Sequence, residues 1–66
     1  MTPFGHRIQS LRKGKNISVN ELADYLQTSM KVIYNIESNK SEPNINELIL
    51  LSKKLNKSID YLCKGE

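Results

Sequence analysis

Two short signatures, Ser18-Val19-Asn20-Glu21 and Asn44-Ile45-Asn46-Glu47, constrain this chain more than anything else in it. Each sets a small oxygen-bearing side chain three residues ahead of a glutamate, at the head of an apolar run. At a helix start the first side chain accepts from the N–H of the fourth residue, and the glutamate reaches back to the first backbone N–H. Two helix starts are therefore written into the sequence. The apolar spacing between them fills in the rest.

Five helices are predicted. The first runs from Phe4 to Lys13, with Phe4, Ile8 and Leu11 at helical intervals and Gly14 as its stop. The second opens at Ser18, turns Leu22, Ala23 and Leu26 inward, and gains partners for both first-turn donors. The third follows Thr28-Ser29 with Ser29 as N-cap, runs to Ser38 and buries Ile33 and Ile36. Asn39 then tolerates a left-handed backbone. The fourth opens at Asn44, carries Ile45, Leu48, Leu51 and Leu55, and stops at Asn56. Ser58 caps a short fifth through Ile59 and Leu62. No segment alternates apolar and polar residues for long, so strands are not expected.

With 66 residues there is one domain, 1–66, and a small core. A single cysteine, Cys63, makes no internal disulfide, and no Cys/His cluster offers a zinc site. No cofactor or metal is expected. The lone thiol fits a reducing cytoplasm. The longest apolar run, Leu48 to Leu51, is far too short to span a bilayer. No nucleophile–base pair or carboxylate dyad is visible, and His6 has no acid or nucleophile at a useful spacing, so an enzyme is not expected. The net charge is +3, and all of the excess sits in residues 1–40, where six Lys/Arg face three acids. That half suits an anionic partner, although an imbalance of this size also arises by chance.

Residues 18–37 hold two short helices joined by a tight turn, Leu26-Gln27-Thr28-Ser29. Ala23 allows a close crossing. With Ile33, Ile36 and Glu37 inward, the third helix shows Lys31, Tyr34, Asn35 and Ser38 outward, flanked by Met30 and Val32. This mixed face carries a single cation, unlike the several charges of an ordinary solvated helix. A helix held out in this way enters a DNA major groove about 12 Å wide.

The stretches SVNELADYLQTSMKVIYNIESNKSEP and NELILLSKKLNKSIDYL resemble the Cro/repressor (XRE-like) family of helix-turn-helix DNA-binding proteins. The matching features are S-x-x-E-L-A, the serine before the third helix, the I-x-x-I-E ending, the proline before the fourth helix and the final S-I-D-x-L. They extend over residues 5–62. The resemblance implies an all-α, compact five-helix lambda-repressor-like domain. It implies a transcriptional regulator, most often a repressor of phage or bacterial origin, bound to double-stranded operator DNA as a two-fold homodimer on a palindrome.

It also implies residue roles. Met30, Lys31, Val32, Tyr34 and Asn35 read bases: Lys31 toward guanine O6/N7, Asn35 toward adenine N6/N7, and Met30 or Val32 toward a thymine methyl. Ser18 and Asn20 at the start of the second helix meet phosphates, as do Ser29 and the loop Asn39, Lys40 and Ser41. Arg12 and Glu37 form a structural ion pair. The chain departs from the family at Val19, where glutamine is common, and at Gln27 and Asn39, where glycine is. A left-handed Gln27 costs about 1 kcal/mol relative to Gly.

Some readings stay open. Lys13 and Lys15 suit plain solvation. Leu50, off the core stripe, forms a dimer patch with Tyr61 and Cys63, or these residues stand singly on the surface. Cys63 otherwise reads as an inert thiol. A protein-interaction module, such as an antitoxin or anti-repressor using the last two helices, is the alternative function. The charged Lys64-Gly65-Glu66 end suits a complete protein or the DNA-binding piece of a longer repressor.

Overall fold

The computed structural model describes residues 4–65; Glu66 lies outside the described residues. They form five helices and no strand: α1 (Phe4–Gly14), α2 (Val19–Leu26), α3 (Met30–Glu37), α4 (Ile45–Leu55) and α5 (Ile59–Lys64). The main contacts join α3 to α1, α1 to α5, α5 to α4, α4 to α2 and α2 back to α3. The helices thus close a ring around one core. Ile8, Leu22, Ile33, Leu51, Leu55 and Leu62 lie fully buried at its centre.

The starts of α2 to α5 are each capped by a short polar side chain. Ser18, Ser29, Asn44 and Ser58 accept from the N–H of Glu21, Val32, Glu47 and Tyr61. The reciprocal arrangement is complete at Asn44, whose N–H donates to Glu47 Oε1 at 2.9 Å. At Ser18 only half of it forms. Glu21 turns instead to α4, where its Oε2 lies 3.1 Å from Lys54 Nζ. A cation within reach outcompetes a backbone N–H that water already serves.

Three further expectations are corrected. Gly14 does not stop α1: it is the last helical residue, and the left-handed position is Asn16, with φ 59°. Ile45, placed on the core stripe, is 65% exposed, because the ring closes on α4 further along, at Leu51 and Leu55. Leu50, read as lying off the core, is half-buried and packs against it, as does Leu48; Ile49 is the residue that stands out. Ile17, in the α1–α2 connection, and Val19, at the first position of α2, also join the core, where no periodic signal announces them.

Among the described residues, four non-glycine residues have positive φ: Asn16, Gln27, Asn39 and Asn56. Three are asparagines, whose short polar side chain suits this region. Gln27, at φ 57° and ψ 46°, is the exception, and it forms the turn between α2 and α3. Replacing it with glycine removes the Cβ conflict. Gln27→Gly is expected to stabilise the fold by about 1 kcal/mol, net of the extra freedom glycine gives the unfolded chain. Thermal unfolding checks this: the midpoint rises by several degrees, and a fall contradicts the account.

Candidate nucleic-acid interface

The inner side of α3 is fixed by burial and by one charged clasp. Ile33 and Ile36 are buried. Glu37, at the last turn, is buried beside Arg12 of α1. Arg12 Nε donates to Glu37 Oε2 at 2.7 Å and Nη2 to Oε1 at 3.2 Å, while Nη1 donates to the Ile17 carbonyl at 2.9 Å. The fork geometry satisfies both carboxylate oxygens, as a buried pair requires. The same clasp ties the α1–α2 connection to the base of α3.

A second tie lies two turns earlier on α1. Gly5 presses so close to α3 that a Cβ there would meet the carbonyl oxygens of Ile36 and Glu37. Its N–H donates to Asn39 Oδ1 at 2.9 Å. The end of α3 is therefore seated on bare α1 backbone, and any larger residue at Gly5 displaces it.

With its inner side held by α1 and α2, the rest of α3 is open. Tyr34 is 54% exposed and Met30 40%, Lys31 and Ser38 are exposed, and Val32 and Asn35 are half-buried. On the helix, Met30, Tyr34 and Ser38 follow one i, i+4 line, and Lys31 and Asn35 the next. Apolar and hydrogen-bonding groups thus form parallel rows. The side-chain amide of Asn35 makes no hydrogen bond among the described residues.

The residues assigned to phosphates are all exposed: Ser18, Asn20, Ser29, Asn39, Lys40 and Ser41. The first turn of α2 leaves the N–H groups of Val19 and Asn20 without intrahelical acceptors. Ser18 and Ser29 already accept from the backbone through Oγ, so each has its hydroxyl hydrogen left to donate. In the loop after α3 the backbone is spent. Asn39 N–H donates to the Ile36 carbonyl, and Lys40 and Ser41 N–H both donate to the Asn35 carbonyl. An anion on this loop meets side chains, not backbone amides. Val19, where a long polar side chain would reach outward, is buried in the core instead.

The charge reading needs revision. Arg7 and Arg12, counted toward an anion-facing half, are both buried. Arg7 Nε donates to the Leu62 carbonyl at 2.9 Å and Nη2 to the Cys63 carbonyl at 3.0 Å. A cation at the C-terminal carbonyls of α5 also meets the negative end of that helix. The sequence did carry a signal: Arg7 lies three residues from Phe4 and four from Leu11, on the apolar stripe, where a cation needs acceptors. The exposed cations of residues 1–40 are Lys13, Lys15, Lys31 and Lys40.

Elsewhere, Lys54 lies 5.2 Å from the centre of the Tyr25 ring and Lys57 4.7 Å from that of Tyr61. Tyr61 is half-buried and Cys63 exposed. Among the described residues no group of three or more His, Cys, Asp or Glu gathers to hold a metal, and no helix is long and apolar enough to cross a membrane.

Comparison with known proteins adds the following. Residues 8–62 match the helix-turn-helix family model. The HTH-type transcriptional activator BcrR of Enterococcus faecalis is 40% identical over 63 residues, which is 96% of this chain and 31% of that protein. The uncharacterised HTH-type transcriptional regulator YqaE of Bacillus subtilis is 33% identical over 63 residues, 96% of this chain and 54% of that one. The chain thus spans 31% and 54% of the length of these two relatives. The P22 c2 repressor, solved in complex with a synthetic operator, superposes with a TM-score of 0.94 at 36% identity over all of both chains. SinR, a master regulator for biofilm formation solved in complex with DNA, gives 0.84 at 32% identity, covering 94% of this chain and all of that one.

Removing one partner of the Arg12–Glu37 clasp strands a buried charge. Arg12→Met is expected to lose about 3–5 kcal/mol, and the double variant Arg12→Met/Glu37→Leu to regain most of it. Urea unfolding of the two proteins distinguishes this from a weak clasp, for which the single variant would lose less than about 1 kcal/mol.

Proposed function

The chain belongs to the helix-turn-helix family, and from that premise we propose that it binds double-stranded DNA sequence-specifically as a transcriptional regulator, most plainly as a repressor. α3 enters the major groove. The observation that carries the reading is the division of α3: a buried side locked by Ile33, Ile36 and the Arg12–Glu37 clasp, and a bare side bearing Met30, Lys31, Tyr34 and Asn35. Rigid support behind and hydrogen-bonding variety in front are what base reading requires.

In this reading Lys31 donates to guanine, Asn35 pairs with adenine, and Met30, with Val32 at its flank, meets a thymine methyl. Tyr34 contacts base edges beside them. The start of α2, Ser29 and the Asn39–Ser41 loop grip phosphates and fix register. The protein does this work in the cytoplasm, without a cofactor and without catalysing a reaction. It acts as a homodimer on a palindromic operator, through the face formed by α4 and α5. Its candidate contacts are exposed Ile49 and Cys63 and half-buried Tyr61, while Leu50 packs against the core.

Two measurements test this. Binding falls with salt by about 0.9 log unit per log unit for each phosphate neutralised. Against a duplex selected from a random pool, Asn35→Ala relaxes preference at one base pair at a cost of about 1–3 kcal/mol, whereas Lys40→Ala weakens all sequences alike and lowers the salt slope by about one. An Asn35→Ala protein with intact base preference removes the assigned reading face. Retention on neither heparin nor random DNA favours the alternative protein-interaction module. For the dimer, Ile49→Glu is expected to lower the sedimenting mass at high concentration; an unchanged mass removes Ile49 from the contact.

A further inference from the structure

The hydrogen bond between Gly5 and Asn39 has an orientation that chemistry alone determines. A backbone N–H only donates, so the atom of the Asn39 amide facing Gly5 at 2.9 Å is the oxygen. Its nitrogen, with two hydrogens, therefore points away from α1. Asn39 is itself exposed and left-handed, at φ 63°, and sits next to Lys40. The backbone amides of this loop are occupied by the Ile36 and Asn35 carbonyls. An anion arriving here has two kinds of donor to meet: the Lys40 ammonium and Ser41 hydroxyl, which rotate freely, and the Asn39 amide, which does not.

We propose that α1, through the Gly5 N–H, pre-orients the Asn39 side-chain amide as a fixed donor to a DNA phosphate, which makes Gly5 a positioning residue for the interface. The inference rests on the DNA-binding reading above and deepens it at one residue. A glycine at position 39 would fit the left-handed backbone with less strain, but it would offer no donor and would leave the Gly5 N–H to water. Asparagine accepts the strain and supplies both. Freezing the amide before DNA arrives removes the entropy loss that a free side chain suffers on binding. Because the amide is neutral, its contact displaces no counterion, and this separates it from a lysine contact in experiment.

The test uses Asn39→Gly and Asn39→Asp in the full chain, with two probes: the best duplex from a random pool and a random-sequence duplex. Asn39→Gly is expected to lose about tenfold in affinity for both duplexes, with base preference and salt slope unchanged. Amide hydrogen exchange at Gly5 should quicken in the glycine variant. Asn39→Asp keeps the oxygen acceptor, so Gly5 exchange should match the parent protein even though affinity falls. Glycine-variant binding within about twofold of the parent overturns the proposal, as does Gly5 exchange that quickens equally in the aspartate variant. If the parent protein binds neither duplex, the DNA-binding reading itself has failed, which is a separate result.

Discussion

Glu37 is an acid at the end of a helix whose outer face is proposed to meet a polyanion, and it would repel such a partner if it were free. The fold turns it inward and closes both of its oxygens on Arg12, a full helix away in sequence. Arg12 also takes the Ile17 carbonyl, so one guanidinium joins α1, the α1–α2 connection and α3. Together with the contact-distance approach at Gly5, this sets the depth and rotation of α3. The order of residues around α3 becomes useful only because those two quantities are fixed.

The core alone would not hold such a short chain firmly. A domain of this size leaves much of its surface exposed, and its apolar centre is a handful of aliphatic side chains. The ring arrangement spreads the burden. Every helix leans on two others, so none is held by a single face. Polar contacts lock the ring where apolar area is thin: Arg7 at the junction of α1 and α5, Arg12 at that of α1 and α3, and Glu21–Lys54 between α2 and α4. The first two are buried and geometrically specific; the last is partly exposed and contributes little.

Much of this was legible in the residues because local signals acted independently. Caps at Ser18, Ser29, Asn44 and Ser58 needed no tertiary context, and neither did the apolar spacing of Leu22, Leu26, Ile33, Ile36, Leu51 and Leu55. Most of the misreadings share a cause. Gly14 differs, since the left-handed position simply falls two residues later, at Asn16. Glu21, Arg7, Leu50 and Ile45 each had a sound local reading, and in each packing against other helices decided the outcome. Asn39 is the same kind of case. A left-handed asparagine is readable from its position, but the Gly5 N–H that orients it comes from 34 residues away. In α3 the inner and outer faces followed from helical period alone, since its buried residues recur at three- and four-residue intervals.

Arg7 finds its acceptor 55 residues along the chain, at the Leu62 carbonyl. During synthesis the first helix emerges from the ribosome long before its partner has been made. Until then the Arg7 guanidinium meets water in place of the α5 carbonyls. Docking of α1 against α5 therefore waits until α5 has left the exit tunnel. A nascent fragment lacking α5 has no closed ring, so a stalled or truncated product is left open to proteolysis.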